Sequence, residues 1–222
     1  MLSRHRKKGF SLIEVMVALI ILSIGFAGYA ALQLIGIRSV EDSYLRSQAT
    51  VLAEEMAERM RANRLAFGVV VANQSEYHGR GFVRTAVDIC ETTQETIIDA
   101  QRCESDGDVG AGTNCTPQQM AQYDVARVFC GYEATNGNWT GGVRHLSEGA
   151  GIVIECCAGV GGACSDDPPA LPMAAANCPT GTPHRIFVQW LAQETDQDDT
   201  ADQDGDGDNS LATQVVRVTI TP

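Results

Sequence analysis

The chain has 222 residues, 16 of them basic and 28 acidic, which is room for one domain of ordinary size plus an anchor. An apolar content of 44% is that of a globular protein and too low for a multi-span one. The acidic balance argues against nucleic acid as a principal partner, because neutralising phosphates takes clustered cations. In chain order, Arg4, Arg6, Lys7 and Lys8 come first and are followed by Gly9 and an apolar run from Phe10 to Ile37. Within that run the only ionisable side chains are Glu14 and the phenol of Tyr29. The stretch from Val15 to Ile37 is long enough to cross a hydrocarbon core, which takes about 20 helical residues. The cations before it hold the N-terminus in the cytoplasm and send the rest across.

A secretory signal peptide carries its small-residue cleavage site after the apolar segment. The candidates there, Gly28–Ala31, sit in a helical pattern that continues without a turn signal, so a cut would halve a helix. Here the small residue, Gly9, stands before the apolar run instead. Glu14 stands out for a different reason. A carboxylate inside an apolar helix costs about 2.5–3.5 kcal/mol, so it either snorkels to the interface or has a partner.

From Arg38 to Arg64 the helical pattern becomes amphipathic, with apolar positions Val40, Tyr44, Leu45, Val51, Leu52, Met56 and Met60. Glu41, Asp42, Arg46, Glu54, Glu55, Glu58, Arg59 and Arg61 are expected on the other face. One helix from Phe10 to Arg64 would be about 80 Å long at 1.5 Å per residue. Gly25, Gly28 and Gly36 read as ordinary small residues of a membrane helix. Residues 65–115 look irregular, broken by Gly68, Asn73, Gly79 and Gly81, with room for a short helix or strand in Thr85–Arg102. Thr116-Pro117 is a helix start, and the helix should run to Phe129 and bury Met120, Tyr123, Val128 and Phe129. Gly151–Cys157, Arg185–Ala192 and Thr213–Thr221 read as strands, with Trp190 in the core and a proline-rich loop at Gly159–Pro183. These elements predict an α+β fold: a sheet of three or four antiparallel strands folded onto the apolar stripe of a long N-terminal helix.

All eight cysteines lie beyond the apolar run: Cys90, Cys103, Cys115, Cys130, Cys156, Cys157, Cys164 and Cys178. An even number confined to the exported part predicts disulfides formed in the periplasm. No C-x-x-C occurs, so zinc has little support. Eight cysteines allow on the order of a hundred pairings, and the sequence does not choose among them. Adjacent residues of a strand point to opposite faces, so Cys156 and Cys157 should bond to different partners, with Cys164 and Cys178 the nearest candidates. His78, His145 and His184 are expected to lie apart in loop-like or strand-edge contexts, and no G-x-S-x-G, P-loop or H-E-x-x-H is present, so catalysis has no visible basis. Between the last two strands, Asp202-x-Asp204-x-Asp206-Gly207 matches the first six positions of an EF-hand calcium loop, and Asp208 would offer its backbone carbonyl. Thr213 stands where that loop has a bidentate glutamate, and no helix precedes it. Calcium is therefore weighed against a solvated acidic hairpin, and preferred because so many carboxylates repel one another without a counter-ion.

The order Lys7-Lys8-Gly9, then Phe10, then Ser11-Leu12-Ile13-Glu14 and the apolar run resembles the type IV prepilin class III signal. That resemblance implies a cut after Gly9 by the prepilin peptidase, which is also an N-methyltransferase, and methylation of the new terminus at Phe10. It implies too that Glu14 pairs with the amino terminus of a neighbouring subunit during docking. The cut would remove four of the 16 basic residues, including both lysines, leaving 12 arginines against 28 acidic residues. Ile13-Glu14-Val15-Met16-Val17-Ala18-Leu19, Leu22-Ser23-Ile24-Gly25, Ala31-Leu32-Gln33, Tyr44-Leu45-Arg46-Ser47-Gln48-Ala49 and Arg59-Met60-Arg61-Ala62-Asn63 are similar to minor pilins of the PilV type, the type IV pilus modification proteins. The likeness is close over residues 9–64 and weaker in the 117–129 helix, and Ile186-Phe187-Val188-Gln189-Trp190 and Val216–Thr221 resemble the paired terminal strands of the PilV-like domain.

The resemblance divides the chain into a leader (1–9), the membrane half of a pilin helix (10–37), its amphipathic periplasmic half (38–64) and a disulfide-rich head (65–222). It implies a non-enzymatic subunit of the bacterial inner membrane with a periplasmic head, incorporated into the pilus. Its partners would be other minor and major pilins and the inner-membrane assembly platform, and its work the priming or capping of the fibre. Two other readings use the same residues: a pseudopilin of a type II secretion system, and a membrane-anchored calcium-binding or adhesive ectodomain.

Overall fold

The computed structural model describes residues 11–67, 75–84, 90, 103, 115–133, 139–147, 149–158, 163–173, 178–179, 181–193 and 211–221. The chain forms two compact units that divide between Tyr44 and Leu45. Helix α1, Leu12–Ala62, is continuous over 51 residues. From Ser11 to Tyr44 every residue is exposed, including Leu12, Ile13, Leu19, Ile24, Phe26 and Leu32. This helix satisfies its own backbone, while among the described residues nothing covers its apolar side chains up to Tyr44. That combination suits a segment whose solvent is lipid or other helices.

The second unit starts with the last turns of α1. Its core-facing stripe is Ala49, Ala53, Met56, Ala57 and Met60, with Leu45 and Leu52 packed alongside. This corrects the expected stripe, since Val40, Tyr44 and Val51 are exposed. Alanines take their places because a methyl side chain lets a helix backbone approach its neighbours closely. Beyond α1 come a 3-10 turn at Arg64–Phe67, strand β1 (Gly81–Val83), helix α2 (Pro117–Cys130), a small pair β2 (Tyr132–Glu133) and β3 (Trp139–Thr140), and a 3-10 turn at Val143–His145. Strands β4 (Gly151–Cys156), β5 (His184–Gln193) and β6 (Leu211–Ile220) follow.

Helix α2 begins where the sequence indicates. Thr116 accepts from the Gln119 N–H while the Gln119 side chain accepts from the Thr116 N–H, a reciprocal capping box with Pro117 in the first turn. Such a cap is worth about 1 kcal/mol. Its buried face holds Tyr123, Val128 and Phe129 as expected, whereas Met120 is only partly buried. The helix ends at Gly131, whose φ of 79° suits glycine, and a methyl group there would collide with the backbone of Thr140 and Gly141.

The main sheet has the order β1-β4-β5-β6 and is antiparallel throughout. β5 and β6 pair over ten residues, from His184↔Ile220 to Gln193↔Leu211. Strand β1 corrects the irregular reading of this region. Gly81 sits in it opposite Val153, and a side chain on Gly81 would strike the Ile152 carbonyl. The glycine that looked like a strand breaker is what admits the strand. Ile152, Ile154, Ile186, Val188 and Trp190 point to one face and share a core with α1 and α2. On the other face Val153 and Phe187 are buried as well. There the loop after Cys164 lies over the sheet, with the Ser165 N–H donating to Glu155 at 3.1 Å and Arg185 held by Asp166 at 3.2 Å and by the Ser165 carbonyl.

Candidate functional site

Gly9 and Phe10, the expected processing pair, lie outside the described residues. Glu14 is described and occupies the first turn of α1, exposed, with its backbone N–H donating to the Ser11 carbonyl at 3.1 Å. A carboxylate in a first helical turn is favoured by the N-terminal end of the helix dipole. It is the sole acidic side chain between Ser11 and Val40 and stands among exposed Leu12, Ile13, Val15 and Val17.

The head is organised around a polar knot that the sequence reading missed. Tyr77 is fully buried, and its hydroxyl donates to Asp124 Oδ2 at 2.7 Å while accepting from Asn63 Nδ2 at 3.0 Å. Asn63 also donates to the Pro117 carbonyl at 3.1 Å, fixing the end of α1 to the start of α2. Arg59 lies 3.5 Å from Asp124 Oδ1, binds Glu55 at 3.1 Å and donates to the Tyr132 hydroxyl at 3.0 Å. Burial first, and then the Asp124 carboxylate, push the Tyr77 phenol well above its ordinary pKa. Arg59 was expected on the solvent face; its side chain is instead 16% exposed, drawn inward by the buried Asp124. The available signal was an acidic residue on the stripe of α2 that also carries Met120 and Val128.

Two histidines expected to lie apart meet at the end of the sheet. His184 is fully buried in β5, flanked by β4 and β6. Its Nε2 is 2.6 Å from Ser75 Oγ and its Nδ1 3.0 Å from the Thr182 carbonyl. His78 Nδ1 accepts from the N–H of Cys156, the residue paired with His184 across the ladder. Burial, opposed by the hydrogen bond to the Thr182 carbonyl and helped by the nearby His78, lowers His184 to about 4.

The residues matched in known families fit this architecture. Residues 4–30 match the prokaryotic N-terminal methylation motif, and residues 31–126 match the family described as Type IV pilin Tt1218. Together the two matches support a type IV pilin. No curated protein and no solved structure gives a significant match to the chain. The second match takes in Arg59, Asn63, Tyr77 and Asp124, so the polar knot falls within the pilin-like part of the chain.

All eight cysteines of the chain are paired: Cys90–Cys130, Cys103–Cys115, Cys156–Cys178 and Cys157–Cys164. The first secures the end of α2, and the second closes a loop just before its cap. The last two diverge from neighbouring residues, one in β4 and one just past it, and tie down the loop over the outer face of the sheet. A disulfide closing a loop of such size is worth about 2–4 kcal/mol. Asp202, Asp204, Asp206 and Asp208 lie outside the described residues. Among the described residues no group of three or more His, Cys, Asp or Glu is placed to hold a metal ion.

Proposed function

We propose that this pilin is a minor pilin of the PilV type, which helps prime assembly of a type IV pilus or cap the fibre. The observation that carries this reading is the basic-Gly9-Phe10-x-x-x-Glu14 order at the head of an apolar helix whose side chains from Leu12 to Tyr44 are exposed. Prepilin peptidase cuts between Gly9 and Phe10 and methylates Phe10, while the helix stays on the mature chain. The chain then rests in the inner membrane with its head in the periplasm. It leaves the bilayer by packing its helix against other minor and major pilins at the assembly platform. Glu14 is neutralised there by the amino terminus of a neighbour, which offsets the cost of a carboxylate in lipid. Fibres sheared from piliated cells should contain the mature chain at far fewer copies than the main subunit. Retention of all of it in the membrane of such cells contradicts incorporation.

The acidic run is proposed to take calcium, with the side chains of Asp202, Asp204 and Asp206 and the carbonyl of Asp208 as ligands. Calcium titrated into the full chain in detergent should release heat, and the heat should vanish with Asp202→Ala and Asp204→Ala together. No heat from the unmodified chain removes the proposal.

A further inference from the structure

The segment Ser75–Arg80 runs along β4 as a strap anchored at its middle by buried Tyr77 and by the Glu76 N–H on the Ala66 carbonyl, and bonded to the sheet through contacts that include two imidazoles. Gly79 N–H donates to the Ile154 carbonyl and Ile154 N–H to the Arg80 carbonyl, both at 3.0 Å. The Cys156 N–H donates to His78 Nδ1 at 3.0 Å, and Ser75 Oγ meets His184 Nε2 at 2.6 Å. A backbone N–H can donate only to a ring nitrogen that carries no proton. The His78 contact therefore requires an unprotonated Nδ1. His184 is fully buried, and a charge on its ring would have no access to water.

We propose that this strap is an acid-loosened clasp: His78, through an Nδ1 that carries no proton, holds it to β4 and His184 on β5 holds Ser75, and proton uptake at these contacts breaks them and opens the Cys156 end of β4 while Tyr77 stays in its knot. The charged groups on the packed elements are already engaged. On the strap Glu76 pairs with Arg80 at 3.3 Å. On β4 Glu155 accepts from the Ser165 N–H, and on β5 Arg185 binds Asp166. On α2 Asp124 is held by Tyr77 and Arg59. The direction follows from linkage. His184 is held neutral down to about 4 in the closed state against 6.5 for an ordinary histidine, so the open state binds protons more tightly. The closed state is thus fully favoured above pH 6.5, loses ground as the pH falls from there, and has lost this contribution below about 4.

The test is hydrogen exchange of the full chain in detergent micelles at about pH 7 and about pH 4, with protection corrected for intrinsic exchange. Protection of the Gly79, Ile154 and Cys156 amides should drop about tenfold or more on acidification, while Val188 in the β5–β6 ladder keeps its own. The double variant His78→Asn, His184→Gln should show no such drop. Equal protection in the unmodified chain at both pH values overturns the clasp, as does the same drop in the double variant. Should that variant fail to fold, the imidazole resonances of the unmodified chain decide. His78 or His184 must titrate in the interval where strap protection is lost, and separate midpoints overturn the proposal.

Discussion

Replacing Asp124 by alanine should cost the head about 3–5 kcal/mol, the range found when one member of a buried ion pair is removed. Asp124 is 4% exposed and takes hydrogen bonds or charge from Tyr77 and Arg59. Its loss takes from the buried Tyr77 hydroxyl the acceptor at 2.7 Å and from Arg59 the buried carboxylate at 3.5 Å. Glu55 would still hold Arg59 at 3.1 Å, so the guanidinium is not stranded and the cost should not exceed that range. Tyr77→Phe deletes only a hydroxyl and should cost about 1–2 kcal/mol. Denaturant unfolding of the full chain in micelles measures both. A loss below about 1 kcal/mol for Asp124→Ala would mean that the knot does not join the end of α1 to α2.

Glu14→Ala should leave membrane insertion and the cut after Gly9 intact while lowering the chain's share in sheared fibres by about tenfold or more. The size follows from the proposed pairing of Glu14 with a neighbour's amino terminus, since truncating one partner of a buried charge pair costs about 2–5 kcal/mol. Glu14→Gln keeps the shape and the hydrogen-bonding capacity but not the charge, and should be nearly as deficient. Quantifying the chain in sheared fibres and in membranes separates a docking defect from a processing defect. Normal incorporation of both variants would leave Glu14 with no role beyond snorkelling to the interface.

Much of this architecture could be read before the structure because it is local. The apolar run, the Thr116-Pro117 start and the alternating strands each carry their signal within a few residues, and α2, β4, β5 and β6 fall within a residue or two of their expected bounds. The divergence of Cys156 and Cys157 was legible for the same reason, being a consequence of strand alternation. What escaped depends on contacts distant in sequence. Strand β1 is three residues long and contains a glycine, so nothing local marks it; only the close approach of β4 explains why Gly81 is there. Arg59 reads as a surface residue until Asp124, far along the chain, is placed beside it. His78 and His184 are separated by a hundred residues of loop, helix and strand, and no spacing rule brings them to the same end of the sheet. The helical stripe was misread at Val40, Tyr44 and Val51 because apolarity was taken for burial, whereas alanine was the residue that let the helix come close.

The mass of the chain's N-terminus, taken from membranes of cells that contain prepilin peptidase, decides most about the account as a whole. It should begin at Phe10 with one added methyl group, and every residue of the apolar helix should still be attached. A chain that starts at Met1, or that has lost the apolar segment, would contradict the pilin reading outright.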